Sequence, residues 1–170
     1  MRLGHEKGRI VSFDVNYRNV MWKDDVQACT DAVKAILPYV DLLKISEEEV
    51  EMMGGEAALN DLMKQNGISL IIETLGSEGA RAYFGDGSFT LPGRKVKAVD
   101  ATGAGDAFWG AFLSSLRIQG VEKAADLTEE IIKTAMDYGN VSGCICVQSK
   151  GAIASLPTRE QIEAFLRENR

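Results

Sequence analysis

Val99-Asp100-Ala101-Thr102-Gly103-Ala104-Gly105-Asp106-Ala107-Phe108-Trp109-Gly110 decides how the chain is read. Lys95–Val99 reads as a strand that runs into a loop of small residues. The loop opens a helix, predicted over Ala104–Gln119, whose apolar face is Ala107, Phe108, Ala111, Phe112 and Leu116. At such a helix start the first backbone N–H groups lack intrahelical partners, and the dipole favours negative charge. Gly103 and Gly105 carry no side chain that would keep an anion away. Asp106 puts a carboxylate beside that anion site. A plain anion-binding loop would avoid it, because like charges repel, whereas a site that takes a proton from an attacking hydroxyl requires it. The pattern predicts phosphoryl transfer. The competing readings are a β-to-α turn merely tightened by glycines and an aspartate that merely caps a helix. Two better-known glycine loops are excluded. G-x-x-x-x-G-K-[ST] does not occur, and G-x-G-x-x-G fails at Phe108, where its third glycine should stand.

The 170 residues suit one domain, and 45% hydrophobic residues are enough for a sizeable core. A net charge of −6 argues against a nucleic-acid partner. No apolar run approaches membrane-spanning length, and Met1–Arg9 lacks a signal-peptide core. Cys29, Cys144 and Cys146 complete no metal-ligand set and read as buried free thiols, which suits a cytoplasmic location. His5 is the only histidine, so Ser-His-Asp catalysis and histidine metal sites are not expected.

Outward from the loop, the pattern predicts strands at Arg9–Val15, Val40–Lys44 and Ser69–Thr74, and a hairpin of Arg81–Phe84 with Ser88–Leu91 about Gly85-Asp86-Gly87. Helices are predicted after an Asp24 cap, at Glu47–Met53 before Gly54-Gly55, at Glu56–Gln65 before Gly67, and from a Thr128 cap to about Val147. A last helix follows the Thr158/Gln161 capping box. Strands alternating with helices imply an α/β fold with a parallel sheet.

Asp100-Ala101-Thr102-Gly103-Ala104-Gly105-Asp106 resembles the D-[ST]-[TV]-G-A-G-D motif of the ribokinase/PfkB carbohydrate kinases, departing at Ala101. Further matches follow in the family's order. Ser12-Phe13-Asp14-Val15-Asn16-Tyr17-Arg18 with Trp22 is similar to the S-F-D-P-N-Y-R…L-W segment of fructokinases and 2-dehydro-3-deoxygluconate kinases, with Val15 in place of proline. Lys44-Ile45-Ser46-Glu47-Glu48-Glu49 resembles K-x-S-x-x-E, Thr74–Ala80 resembles T-L-G-x-x-G-A, and Lys150-Gly151-Ala152 with Pro157 resembles the family's tail. The resemblance covers essentially the whole chain. It implies a ribokinase-like three-layer α/β/α fold of which residues 1–170 are the C-terminal, nucleotide-binding and catalytic part, the lid and first strands being absent. Met1 would then lie in the middle of the parent domain.

The resemblance also implies an ATP-dependent carbohydrate kinase, most like a fructokinase, with Mg²⁺ and, in some relatives, K⁺ as cofactors. Asp106 would be the base, and the N–H groups of Ala104, Gly105 and Asp106, opened by Gly103, the anion hole. Asp14, Asn16 and Arg18 alternate, so on an extended strand end they would share one face and meet the acceptor sugar together with Asp106. A structural Asp14–Arg18 ion pair is the rival there. Thr74, Gly76, Gly79 and Asn140, with Gly103 and Gly105, would face the nucleotide. Glu49 would hold Mg²⁺ through water, a solvated acidic face being its rival, and Asp100 with the turn from Ser149 to Ala154 would hold the monovalent cation. Alternatives are 2-dehydro-3-deoxygluconate as acceptor, or a non-catalytic nucleotide-binding or self-associating module that pairs through exposed sheet edges. Little kinase activity is expected of this chain alone.

Overall fold

The computed structural model describes residues 1–168. Helix α1 (Arg2–Glu6) precedes strand β1 (Ser12–Asp14), the single turn α2 (Asn19–Trp22) and α3 (Val26–Ile36). Next come β2 (Leu42–Ser46), α4 (Glu47–Met52), α5 (Glu56–Asn66), β3 (Leu70–Thr74), β4 (Gly79–Phe84) and β5 (Gly87–Pro92). The chain continues through α6 (Ala104–Ile118), α7 (Glu129–Cys146) and α8 (Arg159–Glu168).

The strands form one sheet in the order β1-β2-β3-β4-β5. β1, β2 and β3 are parallel, with Asp14 opposite Lys44 and Lys44 opposite Ile72. Each parallel step is bridged by helix, α3 in the first and α4 with α5 in the second. The two residues between β4 and β5 are too few for a crossover, so that pair is antiparallel. Gly85 opens the turn with φ 60°.

The chain divides into two compact units. The first comprises Met1–Leu75, Arg81–Phe89 and Glu122–Asp126; the second comprises Gly76–Ala80, Thr90–Val121 and Leu127 onward. In the first, Val33 of α3, Val50 of α4 and Leu59 and Met63 of α5 pack with Leu43, Ile45 and Ile71 of the sheet. Leu42, Leu70 and Ile72, which point to the opposite face, are equally buried. Strands covered on both faces read as continuous apolar runs, which is how β2 and β3 look. Each of these leucines and isoleucines contributes ~1.5–3 kcal/mol through burial. In the second unit Ala111 of α6, Tyr138 and Val141 of α7 and Ile162 of α8 form a core with Phe165 and Leu166.

Most predicted helix ends are where the capping chemistry put them. Gly67 ends α5 in the left-handed conformation (φ 72°), and Thr128 caps α7 by accepting from the Ile131 N–H at 3.3 Å. Thr158 and Gln161 bond reciprocally at the start of α8. Three expectations are corrected. The cap of α3 is Asp25, which accepts from Ala28 N–H at 2.9 Å, while Asp24 takes φ 61°. The first strand shrinks from Arg9–Val15 to three half-buried residues, because it pairs on one side only and Val11 N–H bonds instead to the Asp41 carboxylate. Lys95–Val99 forms no strand. No ladder partner lies beside it among the described residues, Val99 is 54% exposed, and its tie is Val99 and Asp100 N–H to the Val147 carbonyl.

Candidate functional site

The loop before α6 is built by three contacts within the second unit. Gly103, the residue that caps α6, takes φ 82°, and a side chain there would meet the Ala152 Cβ at 2.9 Å. Position 103 therefore needs glycine twice over, for its conformation and for the close approach of Ala152. Asp100 folds the loop around its carboxylate: Oδ1 accepts from Thr102 N–H at 2.9 Å and Oδ2 from Gly151 N–H at 3.0 Å. The Gly151 N–H, then the Thr102 hydroxyl and N–H, hold the Asp100 carboxyl down at about 2, against a usual 3.8. Ala104 N–H donates to the Ala101 carbonyl at 3.1 Å, and Ala107 N–H begins the helical ladder on Gly103 at 2.8 Å. Ala104, expected in the anion hole, thus already has a partner. Gly105 and Asp106 carry the N–H groups of the open first turn. Asp106 is exposed there, and among the described residues no hydrogen bond or ion pair engages its carboxylate.

Helix α7 sets the position of this first turn. Gly139 lies so close to α6 that a Cβ would stand 2.9 Å from the Phe108 ring, and Gly143 lies 3.4 Å from the Ala104 carbonyl by the same measure. Between them the Ser142 hydroxyl donates to the Ala107 carbonyl at 2.9 Å. Phe108 and Trp109 are buried, with Trp109 stacked on Phe112 at 5.1 Å, so they are core residues. Behind the loop, Ser155 donates to the Gly151 and Ala152 carbonyls and contacts the Cys146 sulfur at 3.2 Å. All three cysteines are free and buried.

The residues expected at the nucleotide divide by role. Gly76 has φ 53° with open space around it, so its backbone is accessible. Gly79 (φ 104°) lies against the chain leaving β5, where a Cβ would overlap the Leu91 carbonyl and stand 2.7 Å from Pro92. Asn140 is 7% exposed, and its amide nitrogen donates to the Leu91 and Pro92 carbonyls at 3.4 and 3.3 Å. Gly79 and Asn140 thus both fix the end of β5. In the first unit, Thr74 ends β3 and its hydroxyl donates to the Ile45 carbonyl at 3.4 Å.

The predicted acceptor face is corrected. Asp14, Asn16 and Arg18 do not alternate along an extended strand, because β1 ends at Asp14 and Asn16 turns left-handed at φ 49°. Asp14 is held by buried Lys44, whose ammonium donates to its two oxygens at 3.0 and 2.9 Å. The rival Asp14–Arg18 pair is not what the structure presents, since Arg18 donates to the Tyr17 carbonyl at 2.7 Å. Trp22 packs against the core and anchors α2. A cavity of about 520 Å³ opens here, lined by Tyr17, Arg18, Asn19, Asp24, Val26 and Glu48. Arg18 thus lines an open cavity, and Asp14 and Asn16 lie in the bend leading to it.

Glu49 is 4% exposed, and both its oxygens are engaged. Oε1 accepts from Tyr17 N–H at 2.6 Å and Oε2 from Ser46 N–H at 2.7 Å, while Ser46 accepts from Glu49 N–H at 3.3 Å. This is a capping box at the start of α4 with an added bond to the β1 exit. The S-x-x-E spacing of Ser46 and Glu49 carries that signal in the sequence. Lys44 carries another, a lone cation in the run Leu42-Leu43-Lys44-Ile45, where burial demands a counter-charge. Among the described residues no group of three or more His, Cys, Asp or Glu side chains gathers as a metal site, and no helix is long and apolar enough to cross a membrane.

The family model described as pfkB family carbohydrate kinase matches residues 2–159. Probable fructokinase-5 of Arabidopsis thaliana is 34% identical over 98% of this chain and 52% of its own length. Fructokinase-1 of Oryza sativa subsp. japonica is 34% identical over 95% of this chain and 50% of its own. Among solved structures, a fructokinase from Vibrio cholerae O395 with fructose, ADP and potassium ion bound superposes with a TM-score of 0.85 at 30% identity, covering 97% of this chain and 53% of that one. Aminoimidazole riboside kinase from Salmonella enterica, complexed with aminoimidazole riboside and an ATP analogue, gives 0.82 at 30% identity over 97% and 55%. The fold is ribokinase-like, and the chain spans about half the length of these relatives. By the family match over most of its residues, the chain belongs to the pfkB family of carbohydrate kinases.

Proposed function

We propose that this chain is the nucleotide-binding and phosphoryl-transfer part of an ATP-dependent sugar kinase of fructokinase type. The observation that carries the reading is the first turn of α6. It combines a glycine-opened helix start, two backbone donors on Gly105 and Asp106, and an exposed carboxylate on Asp106 that no neighbour engages among the described residues.

Phosphoryl transfer asks the protein for alignment and charge stabilisation more than for covalent chemistry. The Gly105 and Asp106 N–H groups bind the oxygens of the transferring phosphoryl and take up the charge that develops on them. Asp106 accepts the proton of the attacking sugar hydroxyl as the new O–P bond forms and the bond to ADP breaks. Gly76 lets the nucleotide approach the backbone, Asn140 and Gly79 hold the strand end beside it, and Arg18 and Asn16 contact the acceptor. Mg²⁺ fits as an ion held by nucleotide phosphates and water, since no carboxylate cage is present among the described residues. When bound it neutralises phosphate charge. Asp100 would offer K⁺ oxygens that already accept two N–H groups, so backbone carbonyls of the Ser149–Ala154 turn would supply most ligands.

A coupled ADP-release assay tests the reading, with D-fructose and 2-dehydro-3-deoxygluconate as acceptors. It is run on the chain alone and on the chain completed with the N-terminal half of a similar fructokinase. Sugar-dependent ADP release is expected from the completed protein with D-fructose and little from the chain alone. Preference for 2-dehydro-3-deoxygluconate would reassign the acceptor, and no release with either would refute the fructokinase assignment.

A further inference from the structure

We infer that Glu49 and Lys44 are positioning residues that hold the bend from Asp14 to Arg18 in an acceptor-ready shape. The inference rests on the acceptor role proposed above for Asn16 and Arg18.

Three observations carry it. First, the bend contains Asn16 at φ 49°, a conformation that side-chain-bearing residues rarely adopt, although asparagine tolerates it better than most. Such a residue persists only where its surroundings over-determine it. Second, the bend is tied at both ends by buried charges from one continuous segment, β2 and the start of α4. Lys44, 6% exposed, grips both Asp14 oxygens on one side of Asn16. Glu49 accepts from Tyr17 N–H on the other side. Third, the residues between and beyond those ties point to solvent: Asn16, Arg18 and Asn19 are exposed, and Arg18 and Asn19 line the 520 Å³ cavity.

The two grips are built to be rigid. A carboxylate bonded to backbone N–H groups on both oxygens, at 2.6 and 2.7 Å, makes charge-assisted bonds of about twice the usual strength. The Lys44–Asp14 pair links neighbouring parallel strands at one register position, so it cannot slide without shifting the sheet. A carboxylate so engaged is a structural clamp. Its removal changes the acceptor side of the site, whereas a metal-holding carboxylate would change the metal dependence.

The test uses the ¹⁵N-labelled chain with Glu49→Ala, Glu49→Gln and Lys44→Met. In Glu49→Ala, exchange of the Tyr17 amide should accelerate about tenfold or more, and its proton resonance should move upfield. Glu49→Gln keeps one acceptor oxygen and should preserve much of both signals. Ile45 and Ile71, in the sheet, should change less than about threefold in every variant. D-fructose or 2-dehydro-3-deoxygluconate, added with Mg·ATP, should then shift the Asn16 and Arg18 amides of the wild type, and shift them less in Glu49→Ala. An unmoved Tyr17 amide in Glu49→Ala overturns the clamp. A clamp that responds while neither sugar moves Asn16 or Arg18 overturns the acceptor reading instead. Should Glu49→Ala fail to fold, Lys44→Met decides: without the grip on Asp14 the sugar should shift the Asn16 and Arg18 amides less than in the wild type, and shifts equal to the wild type's overturn the clamp.

Discussion

Gly103→Ala isolates the construction of the loop, and its magnitude follows from two separable penalties. The residue sits at φ 82°, where an L side chain costs about 1–2 kcal/mol. The new Cβ would lie 2.9 Å from the Ala152 Cβ and 3.1 Å from its Cα, closer than packed carbons tolerate. Overpacking of that kind costs about 1–3 kcal/mol. Together they amount to about 2–5 kcal/mol, which in a chain of this size lowers the unfolding midpoint by about 4–20 °C. The control lies on the same helix. Gly110 has open space and no positive φ, so Gly110→Ala should raise the midpoint through helix propensity, by about 0.5–1 kcal/mol. Adding Ala152→Gly to Gly103→Ala removes the 2.9 Å contact with the Cβ but keeps the 3.1 Å approach to the Cα and the φ penalty, so it should recover only part of the overpacking cost. Thermal unfolding by circular dichroism measures all four proteins. A Gly103→Ala midpoint equal to wild type, or no recovery in the double variant, would refute the argument.

Other outcomes follow from the same geometry. The Asp100 carboxyl is held at about 2, below its usual 3.8. Its contribution to stability is therefore fully present above about pH 4 and is lost as pH falls through 2, so the wild-type advantage over Asp100→Asn in thermal midpoint should shrink across that window. Gly79→Ala would drive a methyl into the backbone of Leu91–Gly93 and should leave little folded protein, whereas Gly76→Ala faces only its φ of 53° and should cost about 1–2 kcal/mol by denaturant titration. Asp106→Asn in the completed kinase should lower kcat by at least about a hundredfold while leaving calorimetric nucleotide affinity within about threefold; retained turnover would remove Asp106 as the base.

The parts of the fold legible in the sequence are those decided locally. Gly67 could end α5, Thr128 could cap α7, and Gly85-Asp86-Gly87 could turn a hairpin, because each needs only neighbouring residues. The α6 loop was legible for the same reason. Lys95–Val99 has strand-like residues, but a strand exists only with a partner, and partners are not encoded locally. The Asp14–Lys44 pair depends on the register between β1 and β2, thirty residues apart in sequence, so spacing could not find it. Alternation at Asp14, Asn16 and Arg18 failed because β1 ends at Asp14 and the left-handed Asn16 breaks the extended run on which alternation depends. Asn140 entered only through the resemblance, as a residue facing the nucleotide, and the direction of its amide toward Leu91 and Pro92 was not legible.

The central claim is that the first turn of α6 is a phosphate site. Calorimetric titration of Mg·ATP into the purified chain tests it most directly, with Gly105→Val as the comparison. Saturable binding by the wild type that the valine abolishes is the expected result, because two methyl groups then stand among the donors of the turn. Equal binding by both proteins, or none by the wild type, would contradict it.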